Sequence, residues 1–173
     1  AVALAAREIS GLDVYRTVVP FHTRAKSHWA DSVGWYVGGA PIAAAAAALT
    51  PHLTPGPIHG DALPRNVHVG PDGPVLVDLE TFSADLREHD LVVMALSRDR
   101  YAFPARAYDS FTEAYGWDVR EWAGCGVLRG ARETASCAWV AQHAPSNPEA
   151  LVEFRRRVAS LRDGDETVRW FPF

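Results

Sequence analysis

The chain has 173 residues, enough for one domain or one large lobe with a sizeable core. Its 48% hydrophobic and 22% charged residues are those of a globular protein, and a net charge of −4 argues against a general nucleic-acid binder. Two cysteines exclude a disulfide framework and no stretch is apolar for long enough to span a bilayer, so a cytoplasmic protein with reduced thiols is expected.

In chain order, Ala1 to Ala6 is apolar but has no basic leader, so it does not read as a signal peptide. Val2 to Ile9 reads as the end of a helix, stopped near Ser10-Gly11. An irregular stretch follows to residue 23, with Pro20 as a breaker. Trp29, Val33 and Tyr36 fall at i, i+4 and i+7, which predicts a helix over about residues 24–37 whose aromatic stripe reads as core. His22 and His28 are too far apart to share a helical turn and do not read as a metal site. Pro41 opens a predicted helix through the alanine run to about Leu49, a smooth packing surface. Thr50 to Pro57 is rich in proline, ends that helix and leads into the stretch that carries the chemistry.

Residues 58–80 read as a loop followed by a small β-hairpin. Val67-His68-Val69 enters the turn, Asp72-Gly73 is the turn signal, and Val75-Leu76-Val77 leaves it. Asp61 and Asn66 precede the first strand and Asp78 follows the second. A hairpin folds back on itself, so Asp78 is expected to return close to Asn66. Three oxygen-bearing side chains at one end of a ribbon suit Mg²⁺, which takes few protein oxygens and completes its shell with phosphate and water.

His59-Gly60-Asp61, with Asn66 five positions after the Asp, resembles the catalytic loop of the aminoglycoside phosphotransferase family. Val75-Leu76-Val77-Asp78-Leu79-Glu80 resembles that family's metal-binding strand end. The resemblance implies an α+β, mainly helical fold: the C-terminal lobe of a protein-kinase-like fold, with the hairpin carrying the catalytic loop. It also implies roles, by analogy with kinase parts. Asp61 would be the base that takes the acceptor hydroxyl proton. Asn66 and Asp78 would hold Mg²⁺. His59 would be structural, its ring holding the loop. Glu80, two residues after Asp78 on an extended chain, would hold a metal-bound water or contact the acceptor. Ala62 and Leu63 depart from the family, which often has a polar residue two after the Asp, and Arg65 stands where a small residue is common; it reads as a solvated loop side chain or a phosphate contact. His68 reads as an edge side chain.

Beyond the loop, Asp90-Leu91 resembles the family's Asp-Leu pair. Asp90 is expected to cap a buried helix, Leu91 to Leu96, and to brace the catalytic-loop backbone. Tyr108, Phe111 and Tyr115 predict a helix ended by Gly116. Asp118 is expected to cap another helix from Val119 towards Gln142, with Gly124, Gly126 and Gly130 weakening its start. Cys125 and Cys137, twelve apart on that helix, could not pair within it. Asn147-Pro148-Glu149 starts a last helix, ended by Gly164, with Leu151, Phe154, Val158 and Leu161 on its apolar face. Trp170-Phe171-Pro172-Phe173 is too apolar for a free tail and is expected to dock.

No Gly-rich phosphate cover with a strand lysine is recognisable; Lys26 is the only lysine, in a polar stretch, and Gly38-Gly39 is not flanked by apolar strands. Residues 1–173 are therefore expected to be the catalytic, acceptor-binding lobe, partnered by a nucleotide lobe outside this chain. The expected activity is transfer of the γ-phosphoryl group of ATP or GTP to a hydroxyl of a small molecule. Asp109, Glu113, Asp118, Glu121 and Glu133 could draw in a cationic acceptor such as an aminoglycoside. The reading of another class is a non-catalytic kinase-like binding or regulatory module.

Overall fold

The computed structural model describes residues 36–37, 40–41, 45 and 48–173. The expected helix over 2–9, the irregular stretch to residue 23, most of the aromatic helix and most of the alanine run lie outside the described residues. The parts that are described correct two edges. Tyr36–Val37 (β1) pairs antiparallel with Ala40–Pro41 (β2), in register Tyr36↔Pro41 and Val37↔Ala40. The predicted helix does not run through Tyr36, and Pro41 sits in a strand rather than opening a helix; Ala45 beyond it is helical. The physical reason is in the residues: Tyr and Val favour strands, and a Gly-Gly pair between two apolar dipeptides is a hairpin signal that outweighs three aromatic and aliphatic positions at helical spacing.

The segment from 56 to 85 is a pair of nested hairpins. The outer pair is Gly56–Ile58 (β3) against Ser83–Asp85 (β6), in register Gly56↔Asp85 and Ile58↔Ser83. The inner pair is Val67–Gly70 (β4) against Gly73–Leu76 (β5), in register Val67↔Leu76 and Gly70↔Gly73. The turn residues are Pro71 and Asp72, one position earlier than expected, and Gly73 follows them at a φ of 110° that side-chain-bearing residues avoid. One-turn 3₁₀ segments flank the inner pair: Pro64–Asn66 before it and Leu79–Thr81 after it. A single hairpin was expected; the described residues hold three two-stranded pairs. Val69 is 81% exposed and Val75 57%, so the inner hairpin is ordered by its ladder and its loop rather than by the core.

Four helices form the body of the described residues: Glu88–Arg100 (α1), Ala105–Tyr115 (α2), Cys125–His143 (α3) and Pro148–Arg162 (α4). α1 is buried along most of its length, as its unbroken apolar run predicts, but it begins at Glu88, so Asp90 lies in the first turn and is not the N-cap. Glu88 accepts the backbone N–H groups of His52 (2.6 Å) and Leu53 (2.7 Å), which ties the segment entering β3 to α1. Gly116, at a φ of 87°, ends α2. Asp118 caps only the short turn Val119–Glu121, and α3 starts at Cys125. Gly124 stands just before it, where a Cβ would collide with the Trp122 ring. Asn147 caps α4, accepting the N–H of Glu149 at 2.9 Å and of Ala150 at 3.4 Å.

One core joins Leu91, Val92, Met94 and Ala95 of α1 to Tyr108 of α2, Val119, and Cys125 and Leu128 of α3. A second joins Cys137 and Val140 of α3 to Ala150 and Phe154 of α4 and to Trp170. The C-terminal segment docks as expected: the Trp170 backbone N–H donates to the Arg100 carbonyl at 2.7 Å and its indole to the Ser160 hydroxyl at 3.1 Å. Under it, Arg100 is ion-paired with Glu133 at 2.6 Å. Cys125 and Cys137 are both free and buried on α3, and burial pushes the Cys137 thiol up to about 12, far from thiolate chemistry. Among the described residues, no helix is long and apolar enough to cross a membrane.

Candidate active site

The loop between β3 and β4 is held from three sides. The Asp90 carboxylate of α1 accepts the backbone N–H of His59 at 2.7 Å and of Gly60 at 2.8 Å. The His59 ring spans the hairpin. Its Nε2 lies 2.8 Å from the Val77 carbonyl and its Nδ1 accepts the Asp61 backbone N–H at 3.3 Å. A carbonyl only accepts, so the proton sits on Nε2 and Nδ1 is the acceptor. The Thr81 hydroxyl donates to the His59 carbonyl at 2.7 Å. Thr81 is so close that a Cβ on Gly60 would sit 2.8 Å from its side chain and carbonyl, and Gly60 has a φ of 83°. Glycine is required there twice over, by backbone conformation and by space.

Asp61 and Asn66 meet at the end of this loop. The Asn66 amide donates to the Asp61 carbonyl at 2.9 Å and to its carboxylate Oδ2 at 3.2 Å. Both donors of the amide are thereby used, and the Asn66 Oδ1 remains as an acceptor on a side chain that is itself buried. The Val77 N–H donates to the Asn66 carbonyl at 3.0 Å, which extends the β4–β5 ladder by one step and delivers Asp78 beside Asn66 in the chain path. Asp78 takes a left-handed conformation, φ 61° and ψ 54°, and its carboxylate is exposed with no hydrogen bond to the turn it opens. Such a backbone costs a non-glycine residue about 1–3 kcal/mol and is found where a site demands a direction. Among the described residues, no group of three or more His, Cys, Asp or Glu side chains could hold a metal by itself. The Asn66 amide oxygen and the Asp78 carboxylate are hard donors, which fits an ion bound by few protein oxygens together with phosphate. Glu80 does not lie two along an extended strand from Asp78: the chain is in a 3₁₀ turn there, and the alternation that would put the two side chains on one side is lost. His68 is exposed on β4.

Two guanidinium groups complete the surroundings of Asp61. Arg65 donates to Asp61 Oδ2 at 2.9 Å while its own side chain is 68% exposed. Arg132, from the middle of α3, donates to Asp61 Oδ1 and also to the Gly60 carbonyl at 3.3 Å. The Asp61–Arg65 pair is legible as a four-residue spacing. Arg132 is not, because 71 residues separate it from Asp61 and only the packing of α3 brings it there. His89 lies buried in the first turn of α1. Burial first, and the Arg132 charge second, pull its pKa down to about 3 against the opposing pull of Asp61, so its ring is neutral near pH 7.

The acidic residues expected to attract a cation divide into two kinds. Glu133 is buried and paired with Arg100 and with Arg129 at 3.3 Å. Asp118 is bound by Arg120 and by the Tyr108 hydroxyl, and these hydrogen bonds hold its carboxyl at about 2. Asp109, Glu113 and Glu121 are exposed. Glu113, Asp118 and Glu121 line an open hollow of 440 Å³ with Thr112, Gly116 and Trp117.

A model of the APH phosphotransferase enzyme family matches residues 11–126, more than half of the chain. The chain belongs to this phosphotransferase family. The match spans the loop, both nested hairpins, α1 and α2, and it ends at the start of α3, before Arg132. Family membership implies a kinase-like fold, into which the mainly helical body with its small antiparallel strand pairs fits. No curated protein and no solved structure matches the chain significantly.

Proposed function

We propose that this phosphotransferase moves the γ-phosphoryl group of ATP or GTP to a hydroxyl of a small molecule, as the acceptor-side lobe of a kinase-like enzyme whose nucleotide lobe lies outside the described residues. The observation that carries the reading is the joining of Asp61 and Asn66 at the end of a loop that Asp90, His59 and Thr81 hold rigid, with the ladder delivering Asp78 alongside. In this reading Asp61 receives the acceptor hydroxyl, aims its oxygen and takes its proton. A carboxylate has about four acceptor positions, so Oδ1 keeps one beside its bond to Arg132. Asn66 Oδ1 and the Asp78 carboxylate would hold Mg²⁺, which supplies charge neutralisation at the phosphates when bound. The braced loop keeps Asp61 from turning away, and holding the reacting groups in place is the largest part of catalysis in this chemistry. The test is nucleotide-dependent phosphorylation by the full-length protein across a broad panel of hydroxylated metabolites, with Asp61→Asn as control. Transfer is expected to fall by about a hundredfold or more in the variant, the usual scale of a lost general base, with circular dichroism unchanged. Near-wild-type transfer in Asp61→Asn would remove Asp61 as the base. No transfer to any acceptor by protein shown to bind nucleotide would favour a kinase-like binding module instead.

A further inference from the structure

The two guanidinium groups on Asp61 set the charge that an acceptor meets. Asp61 carries one negative charge, and Arg65 and Arg132 carry one positive charge each, in contact with opposite oxygens of the same carboxylate. At the Asp61 carboxylate itself the two cations therefore outnumber the one anion they touch, Asp78 being the carboxylate that the reading above gives to Mg²⁺, and the side chain of Arg132 is largely screened from water, 24% exposed. Among the described residues, the hydrogen bonds of Arg132 beyond Asp61 reach only the Gly60 carbonyl, and Arg65 extends into solvent. The carboxylates that would have offset them are committed. Glu133, next to Arg132 in α3, is paired with Arg100 and Arg129, and Asp90 is turned to the loop N–H groups. A cationic amine beside the reacting hydroxyl would face two like charges here, and like-charge contact is a strong filter against a ligand. An anionic group beside that hydroxyl would instead meet planar donors suited to it.

We infer that the acceptor is a hydroxy acid: a hydroxyl compound with a carboxylate near the reacting oxygen, which Arg132 and Arg65 bind while Asp61 takes the hydroxyl. This rests on the phosphotransferase reading above and adds the substrate class to it. Arg132 lies beyond the stretch that the family model matches, so the feature is supplied by this chain's own helical continuation.

The experiment compares acceptors of one carbon skeleton and three charges: gluconate, glucitol and 1-amino-1-deoxyglucitol, within a wider set of triplets built in the same way. Phosphoryl transfer is measured with the full-length protein, and binding is measured by calorimetry in the presence of magnesium and a non-hydrolysable nucleotide. Acids are expected to exceed their neutral and amino counterparts in kcat/KM. That preference is expected to fall by about tenfold to a hundredfold in Arg132→Gln, the scale of a lost charge-assisted hydrogen bond, with partial rescue in Arg132→Lys. Arg65→Gln, at an exposed position that does not threaten folding, is expected to lower the same preference in the same direction. Amino compounds turned over as well as or better than acids would overturn the inference and leave the phosphotransferase standing. Absence of transfer to every member would instead strike the phosphotransferase reading, and the binding arm then decides: acid binding lost in Arg132→Gln keeps the anion site, and no acid binding removes it.

Discussion

Asp90 is the single side chain on which the loop depends most. Its two oxygens receive two consecutive backbone N–H groups at 2.7 and 2.8 Å, from a residue that does not follow them for another 30 positions. Replacing it by alanine would leave both donors without a partner. At about 1–3 kcal/mol for each such group, Asp90→Ala is expected to cost on the order of 3 kcal/mol. The measurement is a denaturant midpoint together with amide exchange at His59 and Gly60, which should accelerate. Unchanged exchange there would show that the loop is held by His59 and Thr81 alone. Asp90→Asn keeps one accepting oxygen and should fall between. The residue was legible as a carboxylate after the active segment, and its cap role was misread because the helix had already begun at Glu88.

At the scale of elements, α3 connects everything. Its first half belongs to the core with α1 and α2, its second half to the core with α4, and its middle carries Arg129, Arg132 and Glu133. Two variants separate what a helix end contributes from what a buried pair contributes. Asn147→Ala removes the cap of α4 and should cost about 1 kcal/mol. Glu133→Ala leaves the Arg100 guanidinium, 1% exposed, without its carboxylate and should cost about 3–5 kcal/mol, towards the lower figure because the Asp165 and Val168 carbonyls still accept from it. Both are read from chemical denaturation, and equal costs would mean that Arg100 finds a new partner. The helices α2 and α4 were readable from apolar spacing with their end signals. The start of α3 at Cys125 was read too early, at Val119, although Gly124 was marked as weakening it.

For the whole molecule, His89 ties stability to pH. Its folded pKa of about 3 lies below its ordinary 6.5, with burial the main cause. Above pH 6.5 the ring is neutral in both states and costs nothing. As pH falls below 6.5 the unfolded chain binds a proton that the folded one refuses, so stability declines down to about pH 3. The expected result is a fall in denaturation midpoint between pH 6.5 and 4 with the slope of about one proton, reduced in His89→Leu. An identical slope in the variant would assign the acid sensitivity to other groups.

The sequence by itself determined the local chemistry: the loop with Asp61 and Asn66, the hairpin that brings Asp78 back, the helices after residue 88, the docked tail and the family. Apart from the tail, whose seat on Arg100 and Ser160 is tertiary, each of these is written in a short stretch, as a turn, a cap, a period or a motif, which short-range sterics and hydrogen bonding favour. Only the tertiary structure decided which charges stand at Asp61. Arg132 arrives there because α3 is packed between two cores, and Glu133 drops out of the expected acidic lure because folding hands it Arg100, whereas Asp118 is taken by Arg120 only two positions along. Charge acts through space, and a linear spacing rule has no access to a partner 71 residues away.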